Sequence, residues 1–143
     1  MTHFPIVTEK LESQSRNQMI EITQYIERHI SVNRVEHGFV IVYVPHTTAA
    51  ITINENADKD VKHDLLQKLE KLVPAAESFY RHQEGNSDSH LKCSLVGSSV
   101  TVLVENGKLV LGTWQGVQFC EFDGPRTRNF IVKIVAFSLS GSV

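Results

Sequence analysis

The run Gly38-Phe39-Val40-Ile41-Val42-Tyr43-Val44 is continuously apolar and rich in β-branched residues, the pattern of a strand covered on both faces. It stops at Pro45-His46-Thr47-Thr48, and Ala49 to Asn54 resumes as an alternating strand. Two stretches carry a helical period instead. Met19, Ile22, Ile26 and Ile30 recur at spacings that share one helical face. Ser15-Arg16-Asn17-Gln18 before them reads as a capping box, so a first helix is expected from there to Val32-Asn33. Val61, Leu65, Leu69 and Leu72, joined by Leu66 and Val73, predict a second helix. Several caps for it lie between Asn54 and Asp58, and Pro74 stops it.

The remaining apolar segments read as strands. Phe4 to Leu11 is interrupted by Pro5, which suits an edge strand. Leu95 to Val104 is expected to be a strand with a break at Gly97-Ser98-Ser99. Glu105-Asn106-Gly107-Lys108 predicts a tight hairpin, because Asn-Gly takes the positive φ angles of a type I′ turn. Its return strand is Leu109 to Leu111. Val117 to Phe122 and Phe130 to Phe137 supply two more strands, separated by the Asp123-Gly124-Pro125 turn. Six or seven strands with two inserted helices predict an α+β fold, a mainly antiparallel β-sheet or sandwich forming one domain over residues 1–143.

One segment fits neither period. Arg81-His82-Gln83-Glu84-Gly85-Asn86-Ser87-Asp88-Ser89-His90 holds two imidazoles, two carboxylates, two carboxamides and two hydroxyls, with no large apolar side chain. A polar loop of this length in a compact domain is expected to carry function.

Composition narrows the setting. Hydrophobic residues make up 41% and charged residues 21%, with a formal net charge of −2. Those values describe a soluble globular chain and give no basic stripe for nucleic acid. No apolar stretch approaches the ~20 residues of a membrane span, and the first residues lack a signal-peptide pattern. Cys93 and Cys120 are the only cysteines and share no metal-ligand spacing, so a reducing, cytoplasmic setting is expected.

His46, His82 and His90 lie in loops or at strand ends. Three imidazoles with an open position make the pattern of a catalytic zinc site, and a hydrogen-bonded structural loop explains the same residues equally well. Asp88 or Glu84 would then orient an imidazole through its second ring nitrogen. Thr47 and Thr48, with Gly85-Asn86-Ser87, offer hydroxyls and backbone donors to an anionic oxygen such as a phosphate. Arg126 is placed to add a charge-assisted bond, whereas Arg128 reads as a solvated basic turn. Gln115, polar in an apolar strand, is the suggestive neighbour of Trp114. Glu55 and Glu121 are candidate bases that could equally be caps or hydrogen-bond anchors.

Three stretches together resemble the YjbQ-like family: Pro45 to Asp58, His82 to His90, and Gly112 to Val117 with Glu121 to Arg126. The resemblance spans essentially the whole chain in one order. It implies a small α+β domain assembled as a homotrimer, with a pocket around His46, His82, Asn86, Asp88 and His90 and a divalent metal there. Three histidines favour Zn2+, whereas diphosphate chemistry favours Mg2+. Members are often called secondary thiamine-phosphate synthases. The implied activity is a weak transfer joining a pyrimidine diphosphate to a thiazole phosphate with release of pyrophosphate. A non-catalytic homotrimer binding a metal or small ligand is the alternative. Within the transferase reading, Asp88 and Glu55 stand as catalytic candidates, Asp88 as general base or as support for an imidazole. Thr47, Thr48, Asn86, Gln115 and Arg126 stand as groups holding a small phosphorylated molecule.

Overall fold

The computed structural model describes residues 1–138. In chain order the elements are β1 (Thr2–His3), β2 (Val7–Glu12), β3 (Gln18–Glu21), α1 (Thr23–Val32), β4 (His37–Tyr43) and β5 (Ala49–Glu55). They continue with α2 (Lys59–Leu72), α3 (Ser87–Val96), β6 (Ser99–Glu105), β7 (Lys108–Leu109), β8 (Gln115–Glu121) and β9 (Thr127–Ala136). All strand pairings among the described residues are antiparallel. A six-stranded sheet runs β1-β9-β4-β6-β7, with β2 also on β9, and a three-stranded sheet runs β3-β8-β5. The fold is α+β and mainly antiparallel, as the strand pattern predicts.

Alternation along β4, β6 and β9 sends Val40, Val42, Val102, Val104, Val132 and Ile134 inward to one core. There they meet Ile51, Val117 and Phe119 of the smaller sheet and Ile22, Ile26 and Ile30 of the α1 region. The opposite parity of the smaller sheet presents Ala50, Cys120 and Phe122 to a second cluster. That cluster is completed by Cys93, Leu66, Leu69 and Val96 from α2 and α3. The layers are therefore large sheet, small sheet, then α2 and α3. The outer face of the large sheet has no covering layer among the described residues. Tyr43, Leu103 and Phe137 are exposed along it.

Asn106 and Gly107 take φ values of 52° and 74° in the β6–β7 hairpin, the geometry expected of the Asn-Gly turn. The edge position expected near Pro5 falls to β2, which pairs only with β9. The central strand β4 alternates rather than being covered on both faces, with Phe39 and Ile41 half-exposed.

Three expectations are corrected. Met19 does not open the first helix: Gln18–Glu21 is a strand paired with β8, and α1 starts only at Thr23. Met19 faces the cluster beneath α2, on the other side of the small sheet from Ile22, Ile26 and Ile30. The second helix buries none of its side chains fully, and Leu72 is exposed. Ser87–Val96 is a third helix, so the polar loop ends at its N-terminus and Leu95 belongs to α3 rather than to a strand. Its buried face is Asp88, Ser89, Lys92 and Cys93, so the helical period is present but is not apolar.

Candidate functional site

Three connections converge where the two sheets part. β4 ends its pairing with β9 at Tyr43, opposite Ile131. The chain then crosses through Pro45 to Thr48 into the smaller sheet. The Asn129 amide, left without a β4 partner, donates to His46 Nε2 at 3.0 Å. An imidazole thus extends the ladder beyond the end of the strand. Because Nε2 accepts, the proton of the neutral ring sits on Nδ1. Burial, followed by the Arg128 charge, holds the His46 pKa below its ordinary value.

The second connection joins β8 to β9. Glu121, the last residue of β8, is fully buried. It accepts Arg128 Nε at 2.9 Å, Arg128 Nη2 at 2.6 Å and the Ser13 hydroxyl at 2.6 Å. The Phe122 and Asp123 amides add two bonds of 3.1 Å each. Burial pushes the Glu121 pKa up, but the Arg128 and Ser13 hydrogen bonds outweigh it and leave the group below the usual carboxylate range. The turn can approach Ser13 this closely because residue 124 is glycine: a Cβ there would lie 2.6 Å from Ser13 Oγ.

Arg128 also donates from Nη2 to Thr48 Oγ1 at 2.8 Å. Its Nη1 makes no hydrogen bond among the described residues, and the side chain lines a polar cavity. Arg128 is thus a buried, fixed guanidinium rather than a solvated turn. Only a buried acid on a neighbouring strand could have signalled this, and Glu121 sits seven residues away in sequence.

The third connection, from α2 to α3, supplies the remaining wall. The cavity is about 390 Å³, and its lining includes His46, Thr47, Thr48, His82, Glu84, Asn86, His90, Asp123, Arg126 and Arg128. Six residues singled out from the sequence as ligand or anion groups therefore meet here: His46, Thr47, Thr48, His82, Asn86 and His90. Arg126 joins them, held by Nη2 on Asp123 Oδ2 at 2.8 Å and Nε on the Asp123 carbonyl at 2.7 Å. Asn86 Nδ2 donates to the same Asp123 Oδ2 at 2.8 Å. His82 and His90 lie edge to face with ring centroids 5.2 Å apart. They also border an apolar cleft formed with Phe79, Tyr80 and Leu91.

Three expected participants lie elsewhere. Asp88 does not line the cavity and supports no imidazole. It is fully buried on the inner side of α3 and bonds Arg16 through both oxygens, at 2.8 and 2.9 Å, with Lys92 Nζ at 3.3 Å. Burial raises its pKa, yet the Arg16 and Lys92 contacts prevail and hold it below the usual value. Lys92, itself buried, reaches Glu70 of α2 at 2.7 Å. Gln115 is exposed, its Oε1 accepting the Gly112 amide at 2.7 Å. Glu55 borders a separate open groove with Asp58, Lys59 and Trp114. Nor do the three histidines form one ligand set, since His46 Nε2 is occupied. Among the described residues, no group of three or more His, Cys, Asp or Glu is placed to hold a metal ion.

Burial raises the pKa of both thiols. Cys93 Sγ donates to the Ala49 carbonyl at 3.0 Å, and burial, with Cys93 nearby, pushes the Cys120 thiol up to about 12. No helix among the described residues is long and apolar enough to cross a membrane.

Residues 8–137 match the family described as UPF0047 protein YjbQ-like. UPF0047 protein MJ1081 of Methanocaldococcus jannaschii is 52% identical over 126 residues, covering 88% of this chain and 91% of that protein. UPF0047 protein YugU of Bacillus subtilis is 48% identical over 128 residues, covering 90% and 97%. Among solved structures, a YjbQ/UPF0047 family protein from Clostridium acetobutylicum superposes with a TM-score of 0.88 at 49% identity, covering 90% of this chain and 99% of its own. A conserved hypothetical protein from Thermus thermophilus gives a TM-score of 0.84 at 40% identity, covering 90% and 99%.

Proposed function

The chain belongs to the UPF0047 YjbQ-like family, and from that premise we propose that its polar cavity binds a small phosphorylated molecule. The observation that carries this reading is Arg128: it is 5% exposed, locked by Glu121 and Thr48, and lines the cavity with Nη1 unbonded. A guanidinium fixed in advance loses little freedom on meeting a phosphate oxygen. Arg126, the His46 Nδ1–H and the Thr47 hydroxyl add donors around the same space.

The activity we assign to this cavity is transfer of the thiamine-phosphate synthase type. The thiazole phosphate forms a bond to the carbon bearing the diphosphate as that carbon–oxygen bond breaks. The electron pair leaves on pyrophosphate. Arg126 and Arg128 would stabilise the charge developing on the departing group, the contribution on which such a site depends most. Asp88 has no part in this, because it faces Arg16 and Lys92.

A second reading of the same cavity places a divalent ion, Zn2+ or Mg2+, at His82 and His90. The adjacency of their rings favours it, with the bound phosphorylated molecule supplying the remaining donors. Such an ion would neutralise charge on a diphosphate. The uncovered outer face of the large sheet supports a homotrimer, in which neighbouring copies would cover Tyr43, Leu103 and Phe137.

The test is calorimetric titration of inorganic phosphate into wild type and Arg126→Ala, followed by assay of the pyrimidine diphosphate and thiazole phosphate pair. Saturable binding weakened about tenfold in the variant supports the reading. Absence of phosphate binding removes it. Binding without turnover under any divalent metal leaves a ligand-binding protein in place of a transferase.

A further inference from the structure

A second cavity lies between the smaller sheet and the two helices packed on it, and shares no lining residue with the polar one. It measures about 260 Å³, with Met19, Cys120 and Phe122 on the sheet side and Leu66 and Leu69 of α2 opposite them. Native interiors keep few voids larger than a water molecule, because the lining of a void forfeits its contacts.

Polar struts keep this one open. Glu70 of α2 accepts Lys92 Nζ at 2.7 Å and Asn17 Nδ2 at 3.2 Å. Lys92 is held in turn by Asp88, which Arg16 fixes. For α2 to settle onto the sheet, the buried Lys92 ammonium would have to give up Glu70, and breaking a buried pair is costly. The helix accordingly buries none of its residues fully, although Leu66 and Leu69 pack toward the sheet.

The lining states what could enter. It contains no charged side chain, and burial, with Cys93 nearby, keeps the Cys120 thiol neutral by pushing its pKa up to about 12. One end is polar, since Thr52 and Asn54 project from the same face of β5. Asn54 Oδ1 accepts the Glu55 amide at 2.7 Å, while Asn54 Nδ2 and the Thr52 hydroxyl make no hydrogen bond among the described residues. Leu95 lines the cavity and is 67% exposed, so the cavity opens to solvent beside α3.

We propose that this cavity binds a small neutral ring compound, of the size of indole or a substituted phenol, with one hydrogen-bonding group turned toward Thr52 and Asn54. An apolar cavity of about 150 Å³ accepts benzene, so the larger volume leaves room for a second ring or a substituent. A carboxylate or an ammonium group would shed its water with no countercharge in the lining to replace it. The site is independent of the phosphate reading.

The experiment is calorimetric titration of the protein with indole and with indole-3-acetate. Indole should bind with a dissociation constant of about 1 mM or tighter, and indole-3-acetate at least about tenfold more weakly. Leu66→Trp fills the cavity from α2 and Leu95→Trp obstructs its mouth. Each should weaken indole at least about tenfold while leaving phosphate affinity unchanged. Absence of saturable indole binding to wild type overturns the proposal. So does equal affinity for the two compounds, or indole binding that persists in Leu95→Trp. Because Leu95 is exposed, that variant decides should Leu66→Trp not fold.

Discussion

Arg128 and Glu121 form a doubly hydrogen-bonded pair across the start of β9 and the end of β8, with Nε 2.9 Å from Oε1 and Nη2 2.6 Å from Oε2. Both side chains are buried. Removing one charge leaves the other buried without compensation, which is the costly way to break such a pair. Glu121→Gln should lower stability by about 3–5 kcal/mol, read from urea unfolding midpoints with an unchanged slope. A loss below about 1 kcal/mol would mean that the guanidinium is not held as described.

His46 predicts a pH dependence of known sign. Its pKa is depressed in the fold, while the unfolded chain titrates near the ordinary value of about 6.5. Between the two values the unfolded state binds more protons, so stability falls as pH drops. The contribution is complete above about pH 6.5 and is lost below it, down through the folded value. His46→Gln retains an acceptor for the Asn129 amide but does not titrate. Melting temperatures between pH 8 and pH 5.5 should fall more in wild type than in this variant.

Asp88 should behave as a structural anchor. Asp88→Asn weakens the contacts to Arg16 and Lys92 and is expected to cost about 2–3 kcal/mol. At 25 °C, phosphate affinity of the folded variant should stay within about twofold of wild type. Its folded pKa is depressed, so the stability it contributes is present above the unfolded value of about 3.9 and is lost as pH falls further. The acid limb of the wild-type unfolding curve should therefore flatten in the variant. A specific loss of phosphate binding would return Asp88 to the cavity.

The histidines are predicted to divide two against one. If protein purified without chelator carries a divalent ion, His82→Ala and His90→Ala should each release it. His46→Ala should retain most of it, because Nε2 is engaged by Asn129. Elemental analysis of the three folded variants makes the comparison. Equal loss in all three would restore the single three-histidine site.

Assembly is open to sedimentation. A trimer should persist at micromolar concentration, and Leu103→Lys, on the uncovered face of the large sheet, should dissociate it. A stable wild-type monomer under those conditions removes the trimer.

Legibility in the sequence followed the physical nature of each signal. Strands β4 and β5, which belong to different sheets, and the Asn106–Gly107 hairpin were visible because apolar runs and turn residues are local. Convergence of His46, Thr47, Thr48, Asn86 and Arg126 on one cavity followed from reading loops as sites. Helix α3 was not visible, since Asp88 and Lys92 occupy positions where a hydrophobic pattern shows nothing. Arg128 was misread for a related reason. A guanidinium looks solvated until a partner from another strand is known, and pairing of distant segments is not a local property. Gln115 stood out as polar in an apolar stretch, yet it closes a turn on Gly112.

The burial of Lys92 has a practical consequence. Its ammonium group is enclosed by Glu70, Asp88 and Asn17, and its side chain is 1% exposed. An amine-reactive reagent would modify this lysine only when α2 and α3 separate. The rate at which a mass label accumulates there would therefore time the opening of that layer.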